Sequence, residues 1–157
     1  MATTKYPFIP KSSLKLTPGD FWAVPLRDGS FACARVLELP PKGMPGARVA
    51  FLGGLLDWHG QTHPTADAIA HAKTLDQGVM HILAITSTGG SITGHRPLEL
   101  DGIEPWLFIH GNKIQKGFSF VRESRRGDVG RLRTLSWWGY DVMQIIANKH
   151  FAGSGPA

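Results

Sequence analysis

Short apolar runs, each about the length of a strand, follow one another along most of this chain and are separated by glycine and proline. Pro18-Gly19-Asp20 is a turn signal at which regular structure is expected to begin. The preceding residues 1–17, broken by Pro7 and Pro10, read as an extended arm. Residues 21–26 form a β-type run, and residues 31–39 form its return strand. Between them, Asp28-Gly29 predicts a hairpin turn in which both central residues adopt positive φ. Pro25 has no N–H to give to a ladder, so it belongs at an edge, a bulge or a strand end. Residues 40–46 (PPKGMPG) are a loop that no helix interior or central strand would tolerate.

Residues 47–52 read as a third strand, which Gly53-Gly54 would bend. Thr65 is placed to cap a short helix over residues 66–75, with Gly78 ending it. Residues 79–86 are a strongly β-type apolar run closed by Gly89-Gly90. Residues 106–109 are a further strand, and residues 117–121 alternate weakly enough to be one more. Residues 140–151 lack glycine and proline. They place Val142, Met143, Ile146, Ala147 and His150 on one helical face, with Ser136 or Asp141 as cap and Gly153 as stop. This order predicts an α+β fold: a strongly bent antiparallel sheet or small β-barrel, with a short middle helix and a C-terminal helix.

The 157 residues fit one domain, 1–157, with a frayed tail over 154–157. Charged residues are 18% and apolar residues 42%, a globular balance rather than a disordered one. The lone Cys33 forms no internal disulfide, and the N-terminus carries no apolar run of signal-peptide length. The expected location is therefore the cytoplasm, and no membrane partner is expected. No oligomeric state follows from the sequence.

Charge placement adds more. Between His110 and Thr134 lie seven basic residues (Lys113, Lys116, Arg122, Arg125, Arg126, Arg131 and Arg133) and two acids, Glu123 and Asp128. That excess accounts for the whole net charge of +5, and the remaining ten bases and ten acids cancel. Arginines followed by Trp137-Trp138 suit nucleic acid, through phosphate pairing and base stacking. They suit an acidic protein surface equally. Adjacent tryptophans point to opposite sides of a strand, so one of this pair is expected at the surface as an interface anchor.

Catalytic signals are weak. His59, His63, His71 and His81 are scattered, and Pro64 opposes a helical pair at His59 and His63, so no metal site is expected. Cys33 sits between alanines in a strand, as a core residue does. No Gly-x-Ser-x-Gly elbow, dinucleotide fingerprint or phosphate loop occurs. No catalytic residue and no cofactor are assigned.

The hairpin carries a family resemblance. Pro18-Gly19-Asp20-Phe21-Trp22-Ala23-Val24-Pro25-Leu26, the Asp28-Gly29 turn and the return through Ala34-Arg35-Val36-Leu37 resemble the opening of the immunity protein 26 family. That family pattern is a Gly-Asp, a β-run ending in Pro-Leu, an Asp-Gly turn and a Gly-Arg-Val-Leu-like return. Ala34 stands where the family often has glycine. The resemblance implies a bacterial protein, encoded beside a polymorphic toxin, that binds and neutralises it without catalysis. Immunity proteins against cationic nucleases tend to be acidic. A basic one implies a toxin with a neutral or acidic surface.

A second, shorter resemblance is to small-barrel ribonuclease toxins, which would need Arg96, before Pro97, and Arg125. The alternative function is thus a nucleic-acid binder or such an endoribonuclease. The candidate binding residues are Trp22 and Arg35 of the hairpin, Arg122, Arg125, Arg126 and Arg131 of the basic segment, and Trp137 and Trp138.

Overall fold

The computed structural model describes residues 4–152. The expected frayed tail, 154–157, lies outside them. The architecture is α+β, with ten strands in two sheets and two helices, and the main sheet is bent rather than closed into a barrel. The large sheet comprises β1 (Asp20–Pro25), β2 (Phe31–Glu38), β3 (Ala50–Gly60), β4 (Thr74–His81), β5 (Gly94–His95) and β10 (Trp137–Trp138), in the order β10-β4-β3-β2-β1-β5. The small sheet comprises β6 (Leu107–His110), β7 (Lys113–Lys116), β8 (Ser119–Glu123) and β9 (Arg133–Thr134), in the order β8-β7-β6-β9. Helix α1 (Leu83–Thr86) follows β4, and α2 (Val142–Phe151) ends the described chain.

The expected hairpin is β1 with β2, in register from Phe21↔Arg35 to Pro25↔Phe31, and Pro25 falls at the strand end. The turn differs in detail. Gly29 alone takes a positive φ, of 85°, and Leu26 N–H bonds to Ser30 O at 2.9 Å across a longer loop. Asp28 holds that loop by accepting the Ser30 N–H at 2.9 Å, so its side chain does the work assigned to its backbone.

Three other expectations need correction. The third strand, expected over 47–52, is β3, which starts at Ala50 and runs through Gly53-Gly54 to Gly60. The helix expected over 66–75 is a turn. Thr65 Oγ1 does accept Ala68 N–H at 3.2 Å, but His71 adopts φ 69°, which ends any helix there, and Thr74 already belongs to β4. The run 79–86 splits instead, into the end of β4 and the short middle helix α1. Gly78 therefore lies inside a strand. A Cβ there would overlap the Trp138 indole, so glycine is what lets β10 dock beside β4.

Both faces of the large sheet are buried, which is why its strands read as continuous apolar runs rather than strict alternation. One face carries Trp22, Val24, Ala34, Val36, Phe51 and Leu55, covered by Met143 and Ala147 of α2. The other carries Phe21, Cys33, Leu37, Leu52 and Leu56, covered by Ile69, Ile103, and Phe108 and Leu135 from the small-sheet region. Among the described residues no helix is long and apolar enough to cross a membrane.

Candidate functional site

The basic segment folds as the small sheet and the turns that follow it. Arg122, in β8, makes a two-pronged ion pair with Asp128: Nη1 donates to Oδ2 and Nη2 to Oδ1, each at 2.9 Å. Asp128 Oδ2 also accepts the Arg125 N–H at 2.6 Å. The Arg122 guanidinium, then the Arg125 amide, hold the Asp128 carboxyl well below the usual carboxylate range. This clamp fixes the tight turn Arg126–Asp128 and displays its flanks. Arg125, Arg126 and Arg131 are exposed, and none forms an ion pair among the described residues.

Apolar side chains lie between these charges. Phe120 is 59% exposed and Val129 78%, with Val121 and Leu107 also open. β8 is the outer strand of its sheet, paired only with β7. Exposed apolar groups interleaved with unpaired arginines are the usual make-up of an interface core and its rim.

The adjacent tryptophans separate as expected. Trp137 is 58% exposed, with its ring edge at the 40s loop beside Gly46. Trp138 turns inward onto the core that α2 covers. Arg133 is committed elsewhere. Its Nη1 pairs with Asp76 at 2.7 Å, and its guanidinium lies over Trp106 at 5.2 Å, joining the small sheet to β4.

Two candidate residues sit far from any surface. Trp22 is fully buried against Phe51. Arg35 is fully buried on the other face of the large sheet, where Nη1 donates to Asp101 Oδ2 at 2.7 Å and Nη2 to the Arg96 carbonyl. Arg96 Nε donates to the same Asp101 oxygen at 2.9 Å, the His71 N–H donates to Oδ1 at 2.6 Å, and Lys73 Nζ donates to the Asp101 carbonyl. Burial alone would raise the Asp101 pKa. Arg96, the His71 amide and Arg35 outweigh it and hold the carboxyl well below the usual range. Arg35 therefore bolts β2 to the segment before β6. Arg96, which the ribonuclease reading needed, is bound into the same cluster.

The remaining candidates resolve similarly. Burial pushes the Cys33 thiol far up, which leaves it inert as a nucleophile. His59 stacks on Phe151 at 5.3 Å, His63 packs on Phe31 at 4.5 Å and His81 meets Tyr140 at 5.5 Å.

Sequence reasoning missed Asp101, the partner of both Arg35 and Arg96. It also missed the Arg122–Asp128 clamp, although an arginine six residues before an aspartate across a turn was a usable signal. Gln77 was missed as well. It is buried in β4, accepts the Trp106 N–H at 2.9 Å and donates to Glu104 O at 3.1 Å, which holds the entry to the small sheet.

Comparison with curated proteins finds no significant match, and comparison with solved structures finds none. The sequence description of one family, immunity protein 26, matches residues 17–119. The matched span runs from just before β1 to the first residue of β8. It holds the hairpin, both sheet faces and the Arg35–Asp101 cluster, while the displayed arginines and Trp137 lie beyond it. With that span covering most of the chain, the protein belongs to the immunity protein 26 family.

Proposed function

We propose that this protein binds and neutralises a cognate bacterial toxin by covering its working surface, and that the small sheet with its arginine rim makes the contact. The observation that carries this reading is the exposed apolar set Phe120, Val121 and Val129 alternating along the chain with exposed Arg125, Arg126 and Arg131. The Arg122–Asp128 clamp supports it, because a displayed turn held rigid before binding loses less entropy on complex formation. Family membership supports the immunity role. The engagement of Arg35 and Arg96 with Asp101 and the burial of Cys33 agree with action by occlusion rather than chemistry. An interface of standard size, about 800 Å² on each partner, would take in this whole rim. The toxin face opposite it is neutral or acidic.

Exposed arginines that follow the exposed ring of Phe120 in the chain also fit single-stranded nucleic acid, so the test separates the two partners. The protein is used to capture partners from its native extract, with and without nuclease. The proposal expects the toxin encoded beside it to be retained in equimolar amount after nuclease treatment. Retention that disappears with nuclease would replace the toxin with nucleic acid on the same rim.

A further inference from the structure

The ten bases and ten acids outside the basic segment cancel only in total. Residues 4–19 contain no acid and carry Lys5, Lys11 and Lys15; residues 39–56 contain no acid and carry Lys42 and Arg48. The fold joins these two stretches. Ser13, almost fully buried, donates its N–H to Arg48 O at 2.7 Å and its hydroxyl to Ala47 O at 2.5 Å. All five cations are exposed, and none forms an ion pair among the described residues. The nearest acid in sequence, Asp20, is buried and already engaged by the Tyr6 hydroxyl at 2.7 Å, the Thr17 N–H at 2.9 Å and His95 Nδ1 at 3.0 Å.

The arm that carries the lysines is tied down. Phe8 and Ile92 exchange both backbone hydrogen bonds, at 3.0 and 2.8 Å, and Tyr6 anchors its start. An open cavity of about 360 Å³ lies along it, lined by Thr4, Lys5, Phe8, Ile9, Lys11 and Lys15. Ile9 is 68% exposed and Leu14 64%. Among the described residues, nothing covers these aliphatic side chains, which lie open beside uncompensated lysines.

We infer that this N-terminal face is a second docking surface, and that it takes an acidic protein segment carrying one large apolar side chain. The lysine ammonium groups answer carboxylates on either side, and the cavity over Phe8 and Ile9 receives the apolar anchor. Nucleic acid fits less well. Tyr6 lies between Phe8 at 5.5 Å and His95 at 6.4 Å, which leaves Phe8 as one ring at the cavity, short of the successive rings on which single strands stack. A lipid surface supplies no side chain to fill a concavity. The inference stands apart from the small-sheet rim and does not depend on it.

The test uses the full chain and a fluorescent peptide, Glu-Asp-Glu-Phe-Glu-Asp-Glu, with a second peptide in which alanine replaces the phenylalanine. The expected result is saturable binding of the first peptide, weakened about tenfold or more both by the alanine peptide and by Lys11→Glu with Lys15→Glu, a tenfold change being about 1.4 kcal/mol. Ile9→Ser weakens binding of the phenylalanine peptide alone. Arg125→Glu with Arg126→Glu weakens it less than Lys11→Glu with Lys15→Glu does. Melting temperatures stay at the parent value, because every altered side chain is exposed. Binding that ignores the lysine reversals overturns the inference, as does equal binding of the two peptides. Tighter binding of a single-stranded RNA or of phosphatidylserine vesicles through the same lysines also overturns it.

Discussion

The two sheets use the same pair of residue types in opposite ways. At the large sheet, Arg35 and Asp101 are both fully enclosed, and the Asp101 carboxylate is spent on Arg35, Arg96 and the His71 N–H. Beside the small sheet, Asp128 is buried but Arg122 stays partly open to solvent, and their pairing holds a turn that leaves Arg125 and Arg126 facing solvent. The first arrangement consumes charge to lock a fold. The second consumes one pair to present the rest. The family match over residues 17–119 takes in the first arrangement and ends before the second.

The comparison breaks most visibly at Asp101. Asp101→Asn leaves Arg35 buried without its counter-charge, and the expected loss is about 3–5 kcal/mol in urea unfolding. The equivalent change at the small sheet, Asp128→Asn, leaves Arg122 open to solvent, so the expected loss is smaller, about 1–3 kcal/mol. Equal losses at the two sites would erase the distinction.

The adjacent tryptophans sharpen it next. Trp138→Ala empties the space over Gly78 and is expected to cost about 3 kcal/mol, the low end for a large aromatic because the ring is only half-buried. Trp137→Ala removes an exposed ring and should change stability by no more than about 0.5 kcal/mol. Thermal melts of the two variants decide this.

Acid gives a smaller, graded effect. The Asp101 carboxyl has a depressed folded pKa, so its contribution is fully present above the unfolded value of about 3.9 and is lost as pH falls below it toward the folded value. Melting temperature should therefore hold steady from neutral pH down to about pH 5 and fall below about pH 4. Asp101→Asn should flatten that fall. A fall of unchanged steepness in the variant would assign it to other carboxylates.

What the sequence revealed was local. The hairpin was legible because Asp28-Gly29 and two flanking β-runs act within about a dozen residues. The basic segment was legible because charge can be counted along a chain, and the Trp137-Trp138 split because strand neighbours diverge. The Arg35–Asp101 bond spans 66 positions, so no window contains it. The false helix at 66–75 followed alanine-rich propensity. Tertiary contact overrode it, drawing the His71 amide to Asp101 and Thr74 into β4. β7 escaped notice because four polar-alternating residues, Lys113–Lys116, resemble a charged loop. The N-terminal lysine face was hidden for another reason: it exists only once Ser13 is fastened to Ala47 and Arg48.

The central claim is that the arginine rim binds the toxin while the buried cluster only holds the fold. The most direct measurement is the dissociation constant for the proposed cognate toxin, taken for the parent and for Arg125→Glu with Arg126→Glu, alongside both melting temperatures. The account predicts affinity weakened by at least about tenfold, roughly 1.4 kcal/mol, with the melting temperature unchanged. Unchanged affinity would move the interface off the rim, and a collapsed melting temperature would make those arginines part of the frame.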